Sequence, residues 1–101
     1  MEEAIGYIDF GYDFFWKQVK PIIKALCLPN KWTFSPGGEG NFDSLKYELG
    51  NGYQIVLVPD DDSVYLYQQK TYRGPIKYVF NTTLKKFDIE QFNQQLAMIG
   101  F

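Results

Sequence analysis

The chain contains no histidine and one cysteine, Cys27, in 101 residues. Without imidazole, neither the serine–histidine nor the cysteine–histidine route to an activated nucleophile exists, nor does any histidine-ligated metal site. One cysteine cannot pair within the chain, so no disulfide framework holds the fold. No apolar run approaches the ~20 residues a bilayer-spanning helix needs; stretches such as Ile55–Val58 are typical. The start, Met1-Glu2-Glu3-Ala4, is acidic and lacks the positive charge and apolar core of a secretion signal. The expectation is a cytoplasmic protein with reduced Cys27, no membrane contact and no cofactor.

What is present is apolar and aromatic. Hydrophobic residues make up 46% and aromatic residues 19%, too much for a disordered acidic chain and enough for one compact domain over residues 1–101. No internal repeat or linker divides it.

The clearest helical period runs from Asp13 to Leu28. Phe15, Trp16, Val19, Ile22, Ile23 and Leu26 form one stripe, with Lys17, Lys20 and Lys24 on the other side. Pro21 removes one helical hydrogen bond and predicts a kink, since the stripe keeps its phase across it. Pro29-Asn30 predicts the end. Cys27, beside the stripe, is expected to pack as a small buried hydrophobe.

Lys31–Phe34 predicts a short strand and the glycine-rich 35–41 stretch a loop. Leu45, Tyr47 and Leu49 alternate with Ser44, Lys46 and Glu48, which predicts a strand. Gly50-Asn51-Gly52 then turns the chain into a strand over Tyr53–Val58. A two-residue Asn-Gly loop would pair Leu49 with Gln54 and mix polar with apolar on each face. A three-residue loop pairs Leu49 with Tyr53, Tyr47 with Ile55, Leu45 with Leu57 and Glu48 with Gln54, so the three-residue loop is expected. Further strands are predicted over Val64–Gln69 and Ile76–Asn81. Asp88 reads as the N-cap of a last helix, with Gln91 at capping-box spacing and Phe87 and Phe92 as a hydrophobic staple. Gly100 can close it. The fold class is therefore α+β: a two-layer sandwich of a four- to five-stranded antiparallel meander, with both helices on one face.

Charge comes in blocks. Residues 1–15 carry net −4, 16–38 net +4, 39–62 net −5, 63–87 net +5 and 88–101 net −2. Either the blocks neutralise one another in the sheet, or they form patches that steer partners.

Asp60-Asp61-Asp62 does not make a calcium loop, because the twelfth position counted from Asp60 is Thr71 and not glutamate. Gly37-Gly38-Glu39-Gly40 precedes a strand, so it lacks the helix N-terminus of a phosphate loop. No catalytic pairing emerges, and a non-enzyme is expected. The leading reading is a small acidic protein-binding module of the inhibitor or immunity type. Its carboxylates Glu39, Asp43, Asp60, Asp61 and Asp62 would cover a basic surface of a partner protein, such as a toxin or a nucleic-acid-processing enzyme. In bulk properties the chain resembles immunity proteins of bacterial toxins and phage-encoded inhibitors of bacterial defence enzymes; no residue motif carries that likeness. An alternative reading is a single-stranded nucleic-acid binder using Tyr65, Tyr67, Lys70, Tyr72, Arg73 and Lys77, against which the acidic balance weighs. Another is a structural subunit that associates with itself through a sheet edge or face.

Overall fold

The computed structural model describes residues 13–29, 31–37 and 42–101, with the backbone alone for 13–16. The order is α1 (Asp13–Leu26), β1 (Thr33–Ser35), β2 (Ser44–Gly50), β3 (Tyr53–Val58), a 3-10 turn (Pro59–Asp61), β4 (Ser63–Gln68), β5 (Lys77–Thr82) and α2 (Ile89–Met98). The five strands form one antiparallel sheet in sequential order, an α+β meander between two helices.

The helical stripe is the buried one. Val19, Ile22, Ile23 and Leu26 are buried while Lys17 and Lys24 face water. Phe15 and Trp16 have side chains outside the described residues. The helix runs through Pro21, whose ring faces solvent. It ends at Leu26, two residues before the expected Leu28. The Cys27 amide still donates to the Ile23 carbonyl at 3.0 Å, and Cys27 then turns left-handed at φ 51°. That reversal carries its side chain off the stripe. Cys27 is exposed and not buried as expected.

Register decides what each sheet face carries. Leu45 lies beside Leu57 and Tyr47 beside Ile55; Ile55 pairs with Leu66 and Leu57 with Val64. This face joins the buried residues of both helices and Trp32 in one cluster, with Phe92 and Leu96 contributed by α2. Fully burying a side chain of this size is worth about 1.5–3 kcal/mol. The two helices also touch each other.

The β2–β3 hairpin reaches the expected register by a different device. Gly50 pairs with Tyr53 across a two-residue Asn51-Gly52 loop, both residues having positive φ (54° and 82°). That is the left-handed turn an Asn-Gly pair favours, and its twist suits the strands. Taken alone, it would put Leu49 opposite Gln54. A bulge at Leu49 absorbs one residue, so Glu48 pairs with Gln54. The expected Leu49–Tyr53 pair therefore does not form, yet the apolar face is preserved. β1 is also shorter than Lys31–Phe34, with Trp32 making only an isolated bridge before it.

Asp88 caps α2 as expected, but its carboxylate accepts from the Glu90 amide (3.0 Å), the second helical position rather than the third. Phe87 and Phe92 make the staple, with ring centroids 5.5 Å apart. At the other end Phe101 donates to the Leu96 carbonyl (2.8 Å) and Gly100, at φ 98°, to Ala97 (3.1 Å). This paired closure needs a left-handed residue, which glycine supplies at no steric cost.

Candidate functional site

The second face of the sheet follows from the same register. One row runs Thr33, Lys46, Val56, Tyr65, Asn81; the next runs Glu48, Gln54, Tyr67, Tyr78. No described helix contributes to it, and its side chains are those that alternation turns away from the core.

Three tyrosines dominate this face. The Tyr78 ring lies 5.8 Å from Tyr65 and 5.9 Å from Tyr67, centroid to centroid, in tilted and edge-on arrangements. Such pairs gain about 0.5–1.5 kcal/mol beyond burial. Tyr67 is wedged between its neighbours and is only 9% exposed, whereas Tyr78 is 60% exposed. The Tyr67 hydroxyl donates to Gln54 Oε1 at 3.4 Å. Burial, with a smaller contribution from Tyr78, holds the Tyr67 phenol above its usual pKa.

The acidic bend adjoins this face. Asp61 Oδ2 accepts from Ser63 Oγ (2.9 Å) and from the Tyr65 hydroxyl (3.3 Å). The carboxylate and the tyrosine cluster thus form one continuous surface, with exposed Asp60 beside it. Asp62 differs. It sits left-handed at φ 49°, and its Oδ1 accepts from the Leu84 amide at 3.1 Å. It latches the bend to the segment after β5. Asp43 is also used internally, accepting from the Gly37 amide at 2.8 Å. Glu39 lies outside the described residues. Of the five acidic positions expected at a partner surface, Asp60 and Asp61 fall together beside the tyrosines, while Asp43 and Asp62 hold loops.

The aromatic and basic set divides as well. Tyr65 and Tyr67 share this second face of the sheet. Lys77 pairs with Gln68 and so points, by alternation, to the opposite side from Tyr78. Lys70, Tyr72 and Arg73 belong to the β4–β5 loop, where Tyr72 is 88% exposed and the Arg73 guanidinium sits 5.3 Å from its ring centroid. Tyr78, an aromatic of the same segment, stands outside the six residues of that set. Its place opposite Tyr67 depends on a bulge between β4 and β5 at Val79, which alternation in the sequence does not show.

A cleft of about 410 Å³ lies where the β2–β3 turn meets the β4–β5 loop, lined by Glu48, Tyr53, Gln54, Gln69, Lys70 and Tyr72 among others. Among the described residues no group of three acidic or cysteine side chains could hold a metal ion. No described helix is long and apolar enough to cross a membrane. Compared with family models, curated proteins and solved structures, the chain matches none.

Proposed function

We propose that the protein is a non-catalytic protein-binding module of the inhibitor or immunity type, which docks on a basic surface of a partner protein. Its contact surface is the tyrosine face together with the bend at its end. The observation that carries this reading is the Tyr65–Asp61 hydrogen bond, which joins apolar anchors and carboxylates in one patch. Tyrosine supplies large contact area at low entropy cost and is common among the residues that dominate binding energy. Carboxylates at the rim speed encounter and select a basic partner. The nucleic-acid reading has weaker support. Lys46 and Glu48 offset each other on the tyrosine face, and Lys77 points away from it.

The test uses affinity capture from the native host, then measured binding to whatever partner is recovered in stoichiometric amount. Tyr78→Ala and Asp60→Lys, both at exposed positions, should each weaken that binding by about tenfold or more. Added salt should slow association of the wild type. An affinity unchanged by both variants and by salt would overturn the proposal, as would tight, salt-sensitive binding to single-stranded oligonucleotides in place of a protein.

A further inference from the structure

Among the described residues, β5 is an edge strand with a neighbour on one side only. Such an edge offers unpaired N–H and C=O groups to an incoming strand. The other edge strand, β1, has three residues, whereas β5 has six. Ile76, just before β5, is 43% exposed, and Tyr78, on it, is more exposed still. Proteins commonly guard an edge with a lysine and a bulge, and β5 has both, in Lys77 and the irregularity at Val79. A lysine ceases to guard when the incoming strand brings it a carboxylate. The charge around Lys77 therefore decides which strand can add.

The two halves of β5 differ in what surrounds them. Thr82 lies beside Val64, at the end of the sheet that holds the bend. Signs are mixed there. Asp60, Asp61, Asp62, Asp88 and Glu90 stand with Lys85 and Lys86, and α1, which packs against the 3-10 turn, adds Lys17, Lys20 and Lys24. That half selects neither sign. Lys77 lies beside Gln68 at the opposite end, with exposed Lys70 and Arg73 in the loop that leads to it. From Ser63 to Phe87 the chain carries no acidic residue, and α2 carries no charged side chain from Gln91 onward. Glu48, on β2, lies three strands across the sheet from β5, roughly 14 Å at the usual strand spacing and beyond the screening length of physiological salt. The first half of the edge is basic.

We infer that the β5 edge is a docking site for an extended segment of a partner protein in which acidic and apolar residues alternate. Backbone pairing supplies affinity and the alternate side chains supply choice, as in other cases of strand addition. Lys77 points to the core side of the sheet, and Ile76 and Tyr78 by alternation to the tyrosine side. An added strand therefore sets its acidic residues beside Lys77 and its apolar residues beside Ile76 and Tyr78. With the opposite alternation, apolar groups would lie on the lysine and carboxylates on the exposed rings. A basic strand would set like charge against Lys70, Arg73 and Lys77. This inference rests on the edge and its charge, and it does not depend on the basic surface proposed above as the target of the bend.

The experiment titrates the purified full chain with a blocked peptide of alternating glutamate and valine, and follows amide shifts and amide exchange along β5 by NMR. Binding should saturate, slow the exchange of β5 amides and weaken as salt is added. The same peptide with lysine in place of glutamate should bind at least about tenfold more weakly. Lys70→Glu with Lys77→Glu, both at exposed positions, should reverse that preference, with the unchanged amide spectrum elsewhere showing that the fold is kept. The glutamate peptide N-methylated on every backbone amide keeps its charge but cannot pair as a strand, and should not bind. Absence of binding by the glutamate peptide would overturn the inference, as would equal binding of its N-methylated form or an unreversed preference in the double variant. So would β5 amides that gain protection with protein concentration alone, which would make a second copy the occupant, or a single-stranded oligonucleotide that shifts the same amides at lower concentration than the peptide.

Discussion

Asp62 was expected at a partner surface, and the structure makes it a latch, so its removal should cost folding stability. Two features set the size. Its carboxylate accepts from the Leu84 amide at 3.1 Å in a half-buried position. A hydrogen bond to a charged group is worth about 1.5–3 kcal/mol, and partial exposure argues for the lower half of that range. Its backbone is left-handed at φ 49°. Asp tolerates that conformation better than Ala, which pays about 1 kcal/mol there. Asp62→Ala should therefore destabilise by about 2–4 kcal/mol, out of the 5–15 kcal/mol typical of a domain. For about 100 residues this corresponds to a fall in Tm of roughly 10–20 °C. Asp62→Asn keeps the acceptor and the backbone preference, and should cost about 1 kcal/mol. Asp62→Gly relieves the backbone and isolates the latch at about 1.5–2 kcal/mol. Urea unfolding at neutral pH measures all three, with the slope against denaturant unchanged. If Asp62→Ala costs under about 0.5 kcal/mol, or the three variants are equal, the latch argument fails. The result also bears on function. Loss of partner binding in an Asp62 variant would report unfolding, whereas Asp60 and Tyr78 report the surface.

Gly52→Ala should destabilise by about 2 kcal/mol or more, because φ is 82° and a Cβ would lie 2.8 Å from the Gln69 carbonyl oxygen. Gly100→Ala, at φ 98° with open space around it, should show the backbone cost alone, about 1 kcal/mol, and equal losses in the two would remove the clash argument. Trp32 is 1% exposed and, among the described residues, its indole N–H has no hydrogen-bond partner. Trp32→Phe removes that orphaned donor along with some contact area and should cost under about 1 kcal/mol, against about 3–5 kcal/mol for Trp32→Ala, by chemical denaturation. The raised Tyr67 pKa sets a pH dependence. The unfolded phenol ionises near about pH 10 while the folded one stays protonated, so the contribution is complete below that pH and is lost as pH rises past it. Stability measured near neutrality and above about pH 10 should fall, and Tyr67→Phe should flatten the fall; an identical slope in the variant would count against burial as its cause.

Much of the fold was legible because periodicity reports burial. The Val19–Leu26 stripe, the alternation of Leu45 and Tyr47 and the Phe87–Phe92 staple each state which side of an element is apolar, and the structure buries those sides. Element ends were less legible. Cys27 and Leu49 are placed by a left-handed residue and a bulge, and many residue types accept either in a favourable context. The site was the least legible part. Asp60, Asp61 and Asp62 are consecutive and chemically identical, yet Asp61 holds Tyr65 and Asp62 holds Leu84, while Asp60 stands exposed beside them.

The sequence by itself determined the helix–meander–helix order, the apolar face of each element and the hairpin register, because these follow from local spacing and from the cost of exposing apolar surface. Only the tertiary structure decided which carboxylates are used up as latches, that Tyr78 joins Tyr65 and Tyr67, and that Lys77 faces away from them. Those outcomes depend on strand pairing and a single bulged residue. One residue of slip turns every side chain to the other face, and no local pattern records it.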